Sequence, residues 1–138
     1  ANLLLYATNP SARHHDRSLQ WLEERLHGTA RVGLPWPSLL AFLRIATHPR
    51  VFPRPLDPEA AWEQVETWLG APPSWIPLPT ERHAEVLANL LIRGEARGNL
   101  VPDAHLAALA IEHGLVLHSA DRGFARFPDL RFENPLNS

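Results

Sequence analysis

The chain has five aspartates, Asp16, Asp57, Asp103, Asp121 and Asp129. Three have simple explanations. Asp57 precedes Pro58 and reads as a helix N-cap. Asp16 lies in a polar helical stretch and faces water. Asp129, in Pro-Asp-Leu, reads as a turn residue. Asp103 and Asp121 differ. Asp103 stands in the first turn of a helical segment, where a carboxylate suits the macrodipole or a cap. Yet Leu106, Ala107 and Ala110, at helical spacing from it, place it on an apolar stripe. A carboxylate turned toward a core is costly unless it is paired or holds a cation. Asp121 follows the apolar run Leu115–Ser119 after one intervening residue. That is the carboxyl end of a candidate parallel strand, where open α/β sheets place their ligands. The stretch Ser119-Ala120-Asp121 equally fits a cap for the segment that follows. If a right-handed connection joins the helix to the strand, both acids project at one sheet edge. Two carboxylates there suit a hard cation such as Mg²⁺ or Mn²⁺.

Other side chains offer less. The eight histidines contain no HxxxH or HExxH spacing, so a zinc site is not expected. His105 lies near Asp103 in sequence, but two residues of helical rotation carry it off that face. Arg44 sits in an otherwise apolar helix, either as an exposed side chain lying along the surface or as a contact for RNA phosphate or an acidic site. Arg122 and Arg126, four residues apart, fit either a phosphate contact near Asp121 or a solvated face. The five tryptophans read as core or interface residues.

The elements that must position these groups follow from periodicity and proline. Helices are expected over Ser11–His27, Trp36–Thr47, Asp57–Leu69, Thr80–Arg93 with Thr80 as cap, and Pro102–His113. Strands are expected at Ala30–Leu34, Trp75–Leu78, Leu115–Ser119 and Leu130–Glu133, with a short helix at Arg122–Phe127. Asn2–Tyr6 fits a strand by pattern alone. Helices alternating with short apolar runs predict an α/β fold with a mainly parallel sheet.

Composition sets the outer limits. With 138 residues, 45% hydrophobic and 20% charged, this is one globular domain and not a disordered chain. Thirteen basic and fifteen acidic residues give a net charge of -2, which does not advertise nucleic-acid binding. The absence of cysteine excludes disulfides, zinc thiolates and thiol nucleophiles. No apolar run reaches the length of a membrane span, so no membrane association is expected. All thirteen basic residues are arginine and methionine is absent, so the chain is expected to begin inside a longer product.

The segments LPWPSLLAFLRIATHPRVF (34–52), PDAHLAALAIEHG (102–114) and HSADRGFARFP (118–128), with the opening ANLLLYA, resemble PIN-domain toxins of VapC type. The branch abundant in mycobacteria is the nearest. The resemblance spans nearly the whole chain. It implies a PIN-like three-layer α/β/α sandwich with a short, mostly parallel sheet, filling residues 1–138 as a single domain. It makes Asn2–Tyr6 the start of the first helix and puts the first strand and its catalytic Asp immediately before Ala1. Asp103 matches the metal-binding Asp of the family's helix, and Asp121 the Asp after its fourth strand. Ser119 matches the Ser or Thr two residues earlier, and Asn2 a supporting polar residue. The implied reaction is endonucleolytic RNA cleavage with Mg²⁺ or Mn²⁺, in which metal-activated water attacks a phosphodiester. The family's Glu on the third helix is replaced by Phe42, and the second Asp of its D-x-D-F by Gly123.

The resemblance further implies a homodimer, a cognate VapB-type antitoxin, tRNA or rRNA as substrate, and a cytoplasmic location. Two rivals remain at this level. With Phe42 and Gly123 in acidic positions, the domain fits a catalytically silent RNA- or protein-binding module. A flap-type nuclease relative would instead prefer branched DNA.

Overall fold

The computed structural model describes residues 2–52 and 54–137. The chain divides into two compact units, Ala1–Ile76 and Pro77–Ser138. Among the described residues there are six α-helices and two short parallel ladders, one ladder in each unit. This is an α/β fold, as the sequence predicts.

The first unit holds α1 (Asn2–Thr8), α2 (His15–Leu26), β1 (Val32–Gly33), α3 (Trp36–Ala46), α4 (Pro58–Gly70) and β2 (Ser74–Trp75). Asn2–Thr8 is helical because Leu3, Leu4 and Ala7, one turn apart, are the residues it buries. Helix α2 begins four residues later than the periodicity suggests. Asn9 turns the chain after α1: its side chain accepts from the Ser11 N–H and its carbonyl from the Ala12 N–H. Helix α3 starts after Pro35 with Pro37 in its first turn, where a missing N–H costs nothing. Its buried face is Leu39, Phe42 and Ala46, each fully enclosed. Asp57 caps α4, its Oδ1 accepting from the Ala60 N–H at 2.7 Å.

The second unit holds α5 (His83–Arg93), α6 (Leu100–Glu112), β3 (Leu117–His118), a 3₁₀ turn (Arg122–Arg126) and β4 (Phe132–Glu133). Leu90, Ala104, Ala107, Ala108, Phe124 and Phe127 form its core. The alanines of α6 let α5 and the 3₁₀ turn approach its backbone closely.

Two expectations need correction. The expected single sheet is two ladders of two residues per strand: Val32 opposite Ser74 and Gly33 opposite Trp75, then Leu117 opposite Phe132 and His118 opposite Glu133. The strand expected over Trp75–Leu78 stops at Trp75, because Pro77 and Pro79 have no N–H for a ladder. The second concerns Thr80, which does not cap α5 as expected. Helix α5 begins at His83; the Thr80 hydroxyl accepts from the Arg82 N–H at 3.1 Å just ahead of the helix and donates to Glu112.

Phe42 meets the Trp68 ring edge-on, with ring centroids 4.7 Å apart, at the centre of the first unit's core. Phe42→Ala is expected to destabilise the protein by about 3–5 kcal/mol, measured from urea unfolding midpoints. A loss below about 1 kcal/mol would show that this core collapses around the void.

Candidate active site

Asp103 is the fourth residue of α6 and is not its cap, which is Asn99. Pro102 beside it is tolerated because this turn lies before the regular hydrogen-bond ladder. The side chain is half-buried. Burial first, and the Asp121 carboxylate second, push its pKa above the usual 3.8, while the Arg126 guanidinium acts the other way. An acid eighteen residues away in sequence therefore acts on Asp103 through space. Both effects favour the protonated form of Asp103 and would be relieved by a cation.

Asp121 is exposed beyond the end of β3. Its backbone and one oxygen are fixed by a small local network. The Asp121 N–H donates to Ser119 Oγ at 3.0 Å, and Asp121 Oδ1 accepts from the Gly123 N–H at 2.8 Å. Ser119 is buried and so forms a firm base for this turn. The cap reading of Asp121 is thus correct for one oxygen, and the cap aims the carboxylate. Gly123 allows this closeness: a Cβ there would lie 3.1 Å from Asp121 Oδ1.

Arg126 is held from its far end, Nη1 donating to the Gly94 carbonyl at 3.3 Å. Gly94 admits no side chain, since a Cβ would sit 2.7 Å from the Leu90 carbonyl and 3.0 Å from the Phe127 ring. Arg122 is exposed on the same 3₁₀ turn. The remaining sequence-derived candidates belong to the first unit. Asn2 is half-buried at the head of α1, and Arg44 is exposed in the last turn of α3. Phe42, which the resemblance matches to the family's Glu, is wholly enclosed in apolar core.

Among the described residues, no group of three or more His, Cys, Asp or Glu side chains assembles into a cation site. The two carboxylates that the sequence singles out are Asp103, half-buried with a raised pKa, and Asp121, exposed. That set suits a hard divalent ion, which is commonly held by one or two carboxylates with several positions left for water and substrate phosphate.

One constellation escaped sequence reasoning. The Glu112 side chain is fully enclosed. Its Oε1 accepts from the Thr80 hydroxyl at 2.6 Å and the Thr80 N–H at 2.9 Å, and Oε2 pairs with His83 Nδ1 at 2.6 Å. His83 Nε2 in turn meets His105 Nδ1 at 3.0 Å. Burial alone would raise the Glu112 pKa, but the Thr80 hydroxyl and amide, then His83, hold it below 4.5. His105 is lowered from 6.5, by burial first and His83 second, against the pull of Glu112. The only sequence signal was the seven-residue spacing of His105 and Glu112, which puts them on one face of α6.

Comparison with known proteins follows from this geometry. Residues 1–130 match the PIN domain family. Ribonuclease VapC37 of Mycobacterium tuberculosis is 50% identical over 135 residues, covering 98% of this chain and 94% of the relative. VapC ribonuclease Mb2897 of Mycobacterium bovis is 40% identical over 136 residues, covering 99% and 92%. The crystal structure of VapBC2 from Rickettsia felis, bound to a DNA fragment from its promoter, superposes with a TM-score of 0.70. It is 20% identical and covers 96% of this chain and 93% of that one, which is a likeness of fold.

Two stability measurements probe these clusters. Asp103→Asn removes a carboxylate whose ionisation the fold disfavours, so without metal the variant is expected to melt about 1–5 °C higher than the wild type. A lower midpoint would mean that the charge serves the fold. Glu112 has a folded pKa below its unfolded one, so it stabilises above pH 4.5 and that contribution is lost as pH falls through the folded value. His105, also lowered, adds a loss that begins as pH drops below 6.5. Glu112→Ala is expected to cost about 3 kcal/mol or more at pH 7 and to flatten the acid limb of the stability profile, read by urea titration from pH 4 to 8.

Proposed function

The chain belongs to the PIN-domain family, in its VapC-type ribonuclease branch, and on that premise we propose that Asp103 and Asp121 are the acids with which it cleaves RNA. It acts as the toxin of a toxin–antitoxin pair. What supports the assignment is the Asp121 turn, built on buried Ser119 and held by the Gly123 N–H in the same unit as half-buried Asp103, whose ionisation the Asp121 charge disfavours.

Asp103 and Asp121 would hold a divalent ion, Mg²⁺ or Mn²⁺. Bound there, such an ion supplies positive charge at the phosphodiester and lowers the pKa of a coordinated water. The chain's own residues do the rest. Asp103, half-buried, holds its position through α6. Asp121 keeps one oxygen on the Gly123 N–H and leaves the other for a ligand. Arg126, tethered to the Gly94 carbonyl, offers its remaining N–H groups to a substrate phosphate. Ser119 supports the Asp121 turn. Asn2 and Arg44 keep the roles that the family resemblance implies: a supporting polar group, and a contact for RNA or antitoxin, the latter role shared by Arg122. A VapB-type antitoxin is the proposed partner, a homodimer the proposed assembly, and the cytoplasm, where tRNA and rRNA reside, the proposed location. No helix among the described residues is long and apolar enough to cross a membrane.

The test is cleavage of structured RNA with and without EDTA. Metal-dependent fragments are expected from the wild type. Asp103→Asn should reduce the rate by more than the roughly 10–100-fold that loss of an outer-shell partner costs, with the circular dichroism spectrum unchanged. Asp121→Asn should weaken Mn²⁺ binding by calorimetry. An undiminished rate in Asp103→Asn would sink the site assignment. RNA retained without cleavage would favour the silent binding module, a reading that the enclosed Phe42 supports.

A further inference from the structure

Outside the two-aspartate site, the most fully built polar cluster is Thr80–Glu112–His83–His105, which joins the head of α5 to α6. Its order is informative. Both oxygens of Glu112 are occupied, Oε1 by Thr80 and Oε2 by His83 Nδ1. The Glu112 carboxylate accepts a hydrogen bond from His83 Nδ1–H, and in that tautomer His83 Nε2 carries the lone pair. That nitrogen faces His105 Nδ1 at 3.0 Å, with the two rings inclined at 78° and centroids 4.9 Å apart. Two nitrogens with one proton between them form a hydrogen bond. The same two nitrogens with a cation in the proton's place form half of a coordination sphere.

The distances suit the second use. Zinc makes bonds of about 2.0–2.1 Å to imidazole, and nitrogens 3.0 Å apart then subtend about 90° at the ion. Opening the pair by about 0.3 Å gives the tetrahedral angle. The remaining feature is the carboxylate behind His83. A metal-binding imidazole nearly always donates its other N–H to a carboxylate or carbonyl, which fixes its tautomer and strengthens it as a ligand. Here that partner is buried and itself doubly hydrogen-bonded. Imidazole nitrogens select borderline ions of the zinc type, whereas Asp103 and Asp121, all oxygen, select Mg²⁺ or Mn²⁺.

We propose that His83 Nε2 and His105 Nδ1 form a second cation site, taking one Zn²⁺ per chain, with Glu112 orienting His83 from behind and water completing the coordination. Both residues are partly exposed. It is separate from the carboxylate pair and does not depend on that pair's role.

The experiment is calorimetric titration of Zn²⁺ into the full chain, with excess Mg²⁺ present to occupy oxygen sites. One equivalent is expected in the wild type and in the Asp103→Asn/Asp121→Asn double variant. His105→Ala should lose at least tenfold in affinity, and Glu112→Gln about 10–100-fold. Equal binding in His105→Ala, or binding lost only in the double aspartate variant, would overturn the site. If His105→Ala fails to fold, the wild type still decides through imidazole ¹⁵N shifts. Zn²⁺ should move His83 Nε2 and His105 Nδ1 together; unmoved signals from that pair, with shifts confined to other histidines, would refute it.

Discussion

Two like charges kept near one another in a partly buried place are unstable alone. Asp103 and Asp121 are in that condition: burial and mutual repulsion both raise Asp103, and Arg126 offsets them in part. Asp103 is carried by α6, whose Ala104, Ala107 and Ala108 lie in the second unit's core, and the Asp121 turn is held by the Ser119 hydroxyl and the Gly123 N–H. Such tension is common where a protein holds a ligand that the bare side chains await.

Helix α6 carries most of this burden. Its alanines are small enough to bring neighbouring elements against the backbone, and its mean composition is apolar on nearly every side. A helix of that kind has little in its surface to set its rotation or its slide. Polar anchors supply that. At its C-terminal end Glu112 is pinned by Thr80 and His83, and at the other end Asp103 meets the charges of the 3₁₀ turn. Breaking a buried, fully satisfied carboxylate is costly, so the Glu112 cluster registers α6 against α5.

The absence of an acid at Phe42 has a structural counterpart. That side chain is part of the first unit's core, edge-on to Trp68 and wholly enclosed. A carboxylate there would be buried in apolar surroundings. Gly123 is similar in consequence and different in cause: it leaves room for Asp121 to cap the 3₁₀ turn. On the proposed assignment, two carboxylates in the second unit would hold the cation, which is within what a hard divalent ion accepts.

The helices were legible in the chain because a 3.6-residue apolar period and proline boundaries are local properties, as with Leu39, Phe42 and Ala46 or the Asp57-Pro58 start. So were the two unusual aspartates, since a carboxylate on an apolar stripe or just past a buried run is conspicuous without coordinates. Strand lengths were less legible, because a ladder needs a partner's N–H and carbonyl groups, and Pro77, inside the expected strand, has no N–H to give. The Thr80–Glu112–His83–His105 chain was invisible. Its members are up to 32 residues apart, and each looks like an ordinary cap, surface acid or solvated ring. Periodicity reports what a residue prefers to face along its own helix. Which polar atom meets which across two helices depends on their relative rotation and spacing, and only the packed tertiary structure decides that.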